Sequence, residues 1–152
     1  PATARLPMVP NAVWGGWEGP GLGRYRADPA ARRTRISQIA AFLEHNKLQG
    51  LTIDLETVPP AAQGNLQSFL SEMSQAFAPH GWGIVLAVPF DDPSWDYKAY
   101  ASIVDFEMLM AYDEHWEEGS AGSIASQSGF ESTLDRRMGV LDADAVIVAI
   151  GA

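Results

Sequence analysis

Apolar residues along the chain recur in two alternating rhythms. Leu51, Ile53 and Leu55 alternate with Thr52, Asp54 and Glu56, the period of a strand with one aliphatic and one polar face. Residues 6–13 form a short apolar run broken by Pro7 and Pro10, which marks an edge or a strand end. Residues 82–89 are largely apolar, as in a strand buried on both faces. Residues 105–112 and 145–150 complete the predicted strands. Helical spacings fall between them. Ile36, Ile39, Ala40 and Leu43 follow Asp28-Pro29, an N-cap with Pro at the first helical position. Leu66, Phe69, Leu70, Met73 and Phe77 share one face of a helix over 62–78, closed by Pro79-His80-Gly81. Residues 95–103 read as a short helix, and Phe130, Leu134 and Met138 mark a fourth. The cluster Arg32, Arg33 and Arg35 is expected on a solvated helix face.

The resulting order, βαβαβαβαβ, predicts an α/β domain over residues 1–152 with a parallel sheet and right-handed crossovers. Two architectures share that order: a partial TIM-type (β/α) barrel of five parallel strands and four helices, or an open doubly wound sheet. A dinucleotide site in the second would need a Gly-rich turn directly between strand and helix. Gly15-Gly16 and the glycines at 19, 21 and 23 lie too far from Pro29 to serve. The long loops 14–27 and 113–128 both follow strands. They are expected at the carboxyl-end face with Asp54 and Glu56, where α/β folds keep their sites.

Composition narrows the chemistry. At 152 residues and 47% hydrophobic, with five Trp, the chain can bury a core. A net charge of −9 and a pI near 4.6 disfavour nucleic acid and anionic membranes, and are compatible with a neutral or cationic substrate. The absence of Cys excludes thiol catalysis, disulfides and a Cys-bound metal. His115 has no second His at ligand spacing and reads as a polar contact, so neither metal nor cofactor is expected. No apolar run approaches a membrane span. The chain opens at Pro1 without a signal peptide, and the expectation is a piece of a larger catalytic domain.

Asp54 and Glu56 share a strand face. Like charges so placed repel one another and raise each other's affinity for a proton, which suits acid/base work. They are too close in sequence to flank a sugar as the acid and base of an inverting pair, which needs roughly 6.5–9.5 Å. Trp14 and Trp17 lie in a Gly- and Trp-rich stretch. They either stack on sugar rings or cap the hydrophobic end of the fold.

Gly50-Leu51-Thr52-Ile53-Asp54-Leu55-Glu56 resembles the fourth-strand signature of the chitinase-like, family-eighteen glycoside hydrolases, Asp-Gly-x-Asp-x-Asp-x-Glu. Gly50, Asp54 and Glu56 match, while Gln49 and Thr52 replace two aspartates. Met110-Ala111-Tyr112-Asp113 resembles the Met-x-Tyr-Asp that ends the family's sixth strand. The resemblance covers nearly the whole chain and implies the third to seventh strands of the barrel, without the first two or the eighth. It implies substrate-assisted, retaining hydrolysis of a β-linked N-acetylglucosamine polymer. Glu56 would be the general acid, Asp54 would orient the 2-acetamido group, and Tyr112 would donate to its carbonyl. Asp113, Met110, Trp14, Trp17 and Trp116 are the expected substrate contacts. The other class left open is a catalytically weak or inactive glycan-binding module. Asp54-Leu55-Glu56-Thr57-Val58-Pro59-Pro60 and Ala111-Tyr112-Asp113-Glu114-His115-Trp116 are most similar to a bacterial subgroup fused to polysaccharide deacetylase and glycosyltransferase domains. That resemblance implies an extracytoplasmic location. The expected partners are the glycan, those fused domains, and either the remaining barrel strands or a second copy.

Overall fold

The computed structural model describes residues 4–13, 16–17, 27–115 and 120–150, with the backbone alone at 12–13 and 16–17. Five strands form one parallel sheet. In spatial order they are β1 (Met8–Pro10), β4 (Gly50–Asp54), β5 (Gly83–Pro89), β6 (Phe106–Ala111) and β7 (Val146–Ile150). Among the described residues, four helices connect them: α1 (Pro29–His45), α2 (Gln63–Phe77), α3 (Tyr97–Ala101) and α4 (Gln127–Met138). Neighbours in space follow the order of the sequence, so every crossover steps the same way. A doubly wound sheet reverses direction midway. The single direction here is that of a barrel.

Local chemistry fixes the elements. Asp28 caps α1 by accepting from the Ala30 N–H at 2.9 Å, and Asp96 and Ser126 cap α3 and α4 in the same manner. Gly50 opens β4 at φ 143°, and a Cβ there would lie 1.9 Å from the Gly83 carbonyl oxygen, so no side chain fits.

The helices cover one face of the sheet. Leu51, Ile53 and Leu55, Ile84, Leu86 and Val88, and Leu109 pack with Ile36 and Leu43 of α1, Leu66, Phe69, Leu70, Met73 and Phe77 of α2, and Tyr97 and Tyr100 of α3. Glu107 breaks this apolar layer. It stands level with Leu86 and Val146, is 1% exposed, and neither carboxylate oxygen has a hydrogen-bond partner among the described residues.

Two sequence expectations change. Arg32 is not solvated: it is buried and pairs with Glu72 of α2 at 2.6 Å, tying α1 to α2. Within the loop expected over 14–27, β3 (Gly16–Trp17) forms a short antiparallel ladder with β2 (Ala12–Val13), the end of the apolar run 6–13. Two residues per strand leave no periodicity to read.

Candidate active site

The face of the sheet away from the helices carries Thr52 and Asp54 of β4, Val85 and Ala87 of β5, and Met108 and Met110 of β6. Asp54 is level with Ala87, and Ala87 with Met108. Between Asp54 of β4 and Met108 of β6, β5 sets only the methyl group of Ala87.

Asp54 is buried, at 9% exposed, and its Oδ1 accepts no hydrogen bond from any described residue. Burial holds its carboxyl above the ordinary range. Glu56 lies two residues past the end of β4 and is half-buried. Its proton affinity is raised by burial first, then by the charges of Asp54 and Asp113. The Tyr112 phenol is raised by burial first, then by Asp54, Glu56 and Asp113. These four groups form one electrostatic cluster at the carboxyl ends of β4 and β6. A carboxyl with raised proton affinity, beside a buried acceptor and a phenol whose proton affinity is also raised, is suited to donate a proton to one substrate atom and orient another.

Met110 stands on the same face, level with Pro89 and Ala149 and two residues before Tyr112. Trp14 and Trp116 lie outside the described residues. Trp17 is described only as backbone, paired with Ala12 in the β2–β3 ladder. A cavity of about 450 Å³ borders Tyr112 and Asp113 on the side of α4. Asp54 and Glu56 do not line it.

Residues around the cluster hold it in shape. Asp113 has φ 62° and Thr57 φ 54°, both in the left-handed region and each next to a site residue. Such conformations cost roughly 1–3 kcal/mol and tend to cluster at functional sites. On the Asp113 side, the Glu114 carboxylate accepts from the Ser126 N–H and from Ser126 Oγ, at the first turn of α4. Those bonds hold its carboxyl below the ordinary range. The Glu114 N–H donates to the Ile124 carbonyl at 2.9 Å, and His115 Nδ1 lies 2.9 Å from the Ser123 carbonyl oxygen. On the Glu56 side the holding group is Asn11, which sequence reasoning passed over. An Asn after the proline that ends a strand is an ordinary turn signal, and nothing local names a partner 45 residues away.

The family model described as Glycosyl hydrolases family 18 matches residues 12–147. Among curated proteins, the chain is 28% identical to YvbX of Bacillus subtilis, named an uncharacterized glycosylase, over 90% of this chain and 42% of that protein. The crystal structure of YdhD from Bacillus subtilis, provisionally named a sporulation-specific glycosylase, matches with a TM-score of 0.90 at 22% identity, over 96% of this chain and 51% of that one. Catalytic domain 2 of the group II chitinase of Ostrinia furnacalis, solved in complex with (NAG)5, matches at a TM-score of 0.70 and 18% identity, over 93% and 44% of the two chains. The chain thus spans about two fifths of the length of the curated relatives it matches.

Proposed function

Because the chain belongs to glycosyl hydrolase family 18, we propose that it supplies the acid-bearing part of a glycoside hydrolase barrel acting on a β-linked, N-acetylglucosamine-containing polysaccharide. The observation that carries this reading is Glu56, a carboxyl with raised proton affinity, set among Asp54, Asp113 and Tyr112 at the strand ends. Support for the glycan comes from the chitinase relatives, one of them bound to an N-acetylglucosamine oligomer.

In the proposed reaction Glu56 gives its proton to the glycosidic oxygen as the bond from C1 to that oxygen breaks. The carbonyl oxygen of the substrate's own 2-acetamido group attacks C1, which places the family outside the usual two-carboxylate scheme. Asp54 accepts the acetamido N–H through its free Oδ1 and offsets the positive charge of the oxazolinium ion. Tyr112 donates to the acetamido oxygen and aims it. Water then attacks C1 as the bond from C1 to the acetamido oxygen breaks, gives its proton to Glu56, and leaves the 2-acetamido group and the starting configuration restored. Met110, Asp113, Trp14, Trp17 and Trp116 are proposed substrate contacts. We extend the proposal to an extracytoplasmic polysaccharide and to fusion with deacetylase and glycosyltransferase domains, on the motif resemblance given above.

The test compares N-acetylated with fully deacetylated β-linked oligomers as substrates of the full-length protein. Cleavage confined to the acetylated oligomer is expected. Equal cleavage of both would remove the 2-acetamido group as nucleophile, and with it the roles of Asp54 and Tyr112. A protein that binds the oligomer without cleaving either form would be a binding module.

A further inference from the structure

We infer that Asn11 is a positioning residue for Glu56: its side-chain amide stands in for a missing rung of the β1–β4 ladder and sets where the Glu56 carboxyl points. This rests on the assignment of Glu56 as the acid.

The register of β1 with β4 ends at Pro10 opposite Asp54. Glu56 lies two residues beyond. The Asn11 main-chain N–H donates to the Asp54 carbonyl at 3.2 Å. Its side-chain Nδ2 then donates to the Glu56 carbonyl at 2.9 Å, and its Oδ1 accepts from the Glu56 N–H at 3.0 Å. A carboxamide carries the donor and the acceptor of a peptide group in one plane, so one side chain makes both bonds that a neighbouring strand would make. Ser is too short to span them and Asp lacks the donor. Asn11 is 7% exposed, so water competes poorly for the pair.

The clamp is needed where it sits. Thr57, directly after Glu56, is a β-branched residue at φ 54°. With the clamp released, the backbone relaxes at Thr57 and carries Glu56 away from Asp54, Asp113 and Tyr112. Those are the groups whose charges couple to it.

The experiment is Asn11→Ala in the protein, with ¹³C-labelled glutamate and Glu56→Gln to identify the resonance. The Glu56 carboxyl is expected to titrate at lower pH in Asn11→Ala than in the wild type, because it leaves a buried, acidic setting. With an acetylated oligomer, kcat should fall about 10–100-fold, the cost typical of a misplacement near 1 Å. KM should change less than about threefold, since the acid acts mainly in the transition state. The basic limb of the pH profile should move to lower pH together with the resonance. A folded Asn11→Ala whose Glu56 titration matches the wild type overturns the inference. If Asn11→Ala does not fold, Asn11→Ser, which fills most of the space without reaching Glu56, is read by the same criterion. A wild type that hydrolyses nothing would sink the assignment of Glu56 as the acid, and the titration would still decide on the clamp.

Discussion

Two buried carboxylates on opposite faces of one sheet invite comparison. Asp54, with Glu56 beyond it, lies on the face away from the helices, and Glu107 on the face beneath them. Both sites bind protons more tightly than free carboxyls do, with burial as the first cause. Glu107 is the more perturbed, pushed up to about 7 by burial, with Arg137 opposing and Asp96 adding. Shift alone would select Glu107 as the functional group, but its surroundings argue otherwise. It is enclosed by the core layer, and among the described residues no group hydrogen-bonds its carboxylate; Arg137 and Asp96 act on it only through their charge. Glu56 has an acceptor, a phenol and a further carboxylate coupled to it at an accessible strand end. A raised pKa marks burial, and a site also needs neighbours and a way in.

The largest effect that would break this comparison concerns Glu56. Glu56→Gln keeps the shape and removes the transferable proton. Hydrolysis by the full-length protein should fall by about 10²–10⁴-fold, with oligomer binding retained. Asp54→Asn should lower kcat by about 10²–10³-fold, because the oxazolinium ion loses its counter-charge. Steady-state kinetics on an acetylated oligomer checks both. Wild-type turnover in Glu56→Gln would leave the inner-face cluster without its central group.

What the sequence revealed and what it hid divide along the same line. The strands and helices were legible because their apolar residues keep strict periods, as Leu51, Ile53 and Leu55 do. Asp54 and Glu56 were legible because they put two acids on the polar phase of that period at a strand end. Glu107 passed unnoticed inside residues 105–112, where one polar residue barely disturbs an apolar run. Arg32 was hidden by company: among Arg33 and Arg35 it reads as solvated, and only the approach of Glu72 from α2 shows otherwise. Asn11 was invisible because its partner is set by the β1–β4 register, a long-range fact. Trp14 and Trp116 fall outside the described residues.

The next effect is on stability. Glu107 holds its proton more tightly folded, at about 7, than at its ordinary 4.5. Its contribution to stability is therefore complete in acid, below the unfolded value, and is lost as pH rises through the folded value. The loss is on the order of 3 kcal/mol by pH 8. Glu107→Met fills similar space beside Leu86 without a charge. It should match the wild type near pH 4.5 and exceed its stability by up to about 3 kcal/mol at pH 8. Activity should stay within about twofold, since Glu107 touches no part of the cluster. Urea unfolding at the two pH values is the measurement. A variant that is equally destabilised at both would mean that Glu107 is ionised and paired in the fold.

The smallest effect isolates one neighbour of Glu107. Asp96 adds to the raising of its proton affinity and also caps α3, accepting from the Ala99 N–H at 3.0 Å. Asp96→Asn removes the charge and keeps an N-cap of equal quality, so the helix is left intact. The folded proton affinity of Glu107 should then fall toward its ordinary value. The gap between folded and unfolded states narrows, and the stability lost between pH 4.5 and pH 8 shrinks by about 0.3 kcal/mol, the scale of one exposed charge. Added to Glu107→Met, the same substitution should leave that pH-dependent difference unchanged, because no titrating group remains for Asp96 to act on. Asp96→Asn shrinking the loss equally in both backgrounds would show that the charge acts elsewhere, and that Glu107 is isolated even from α3.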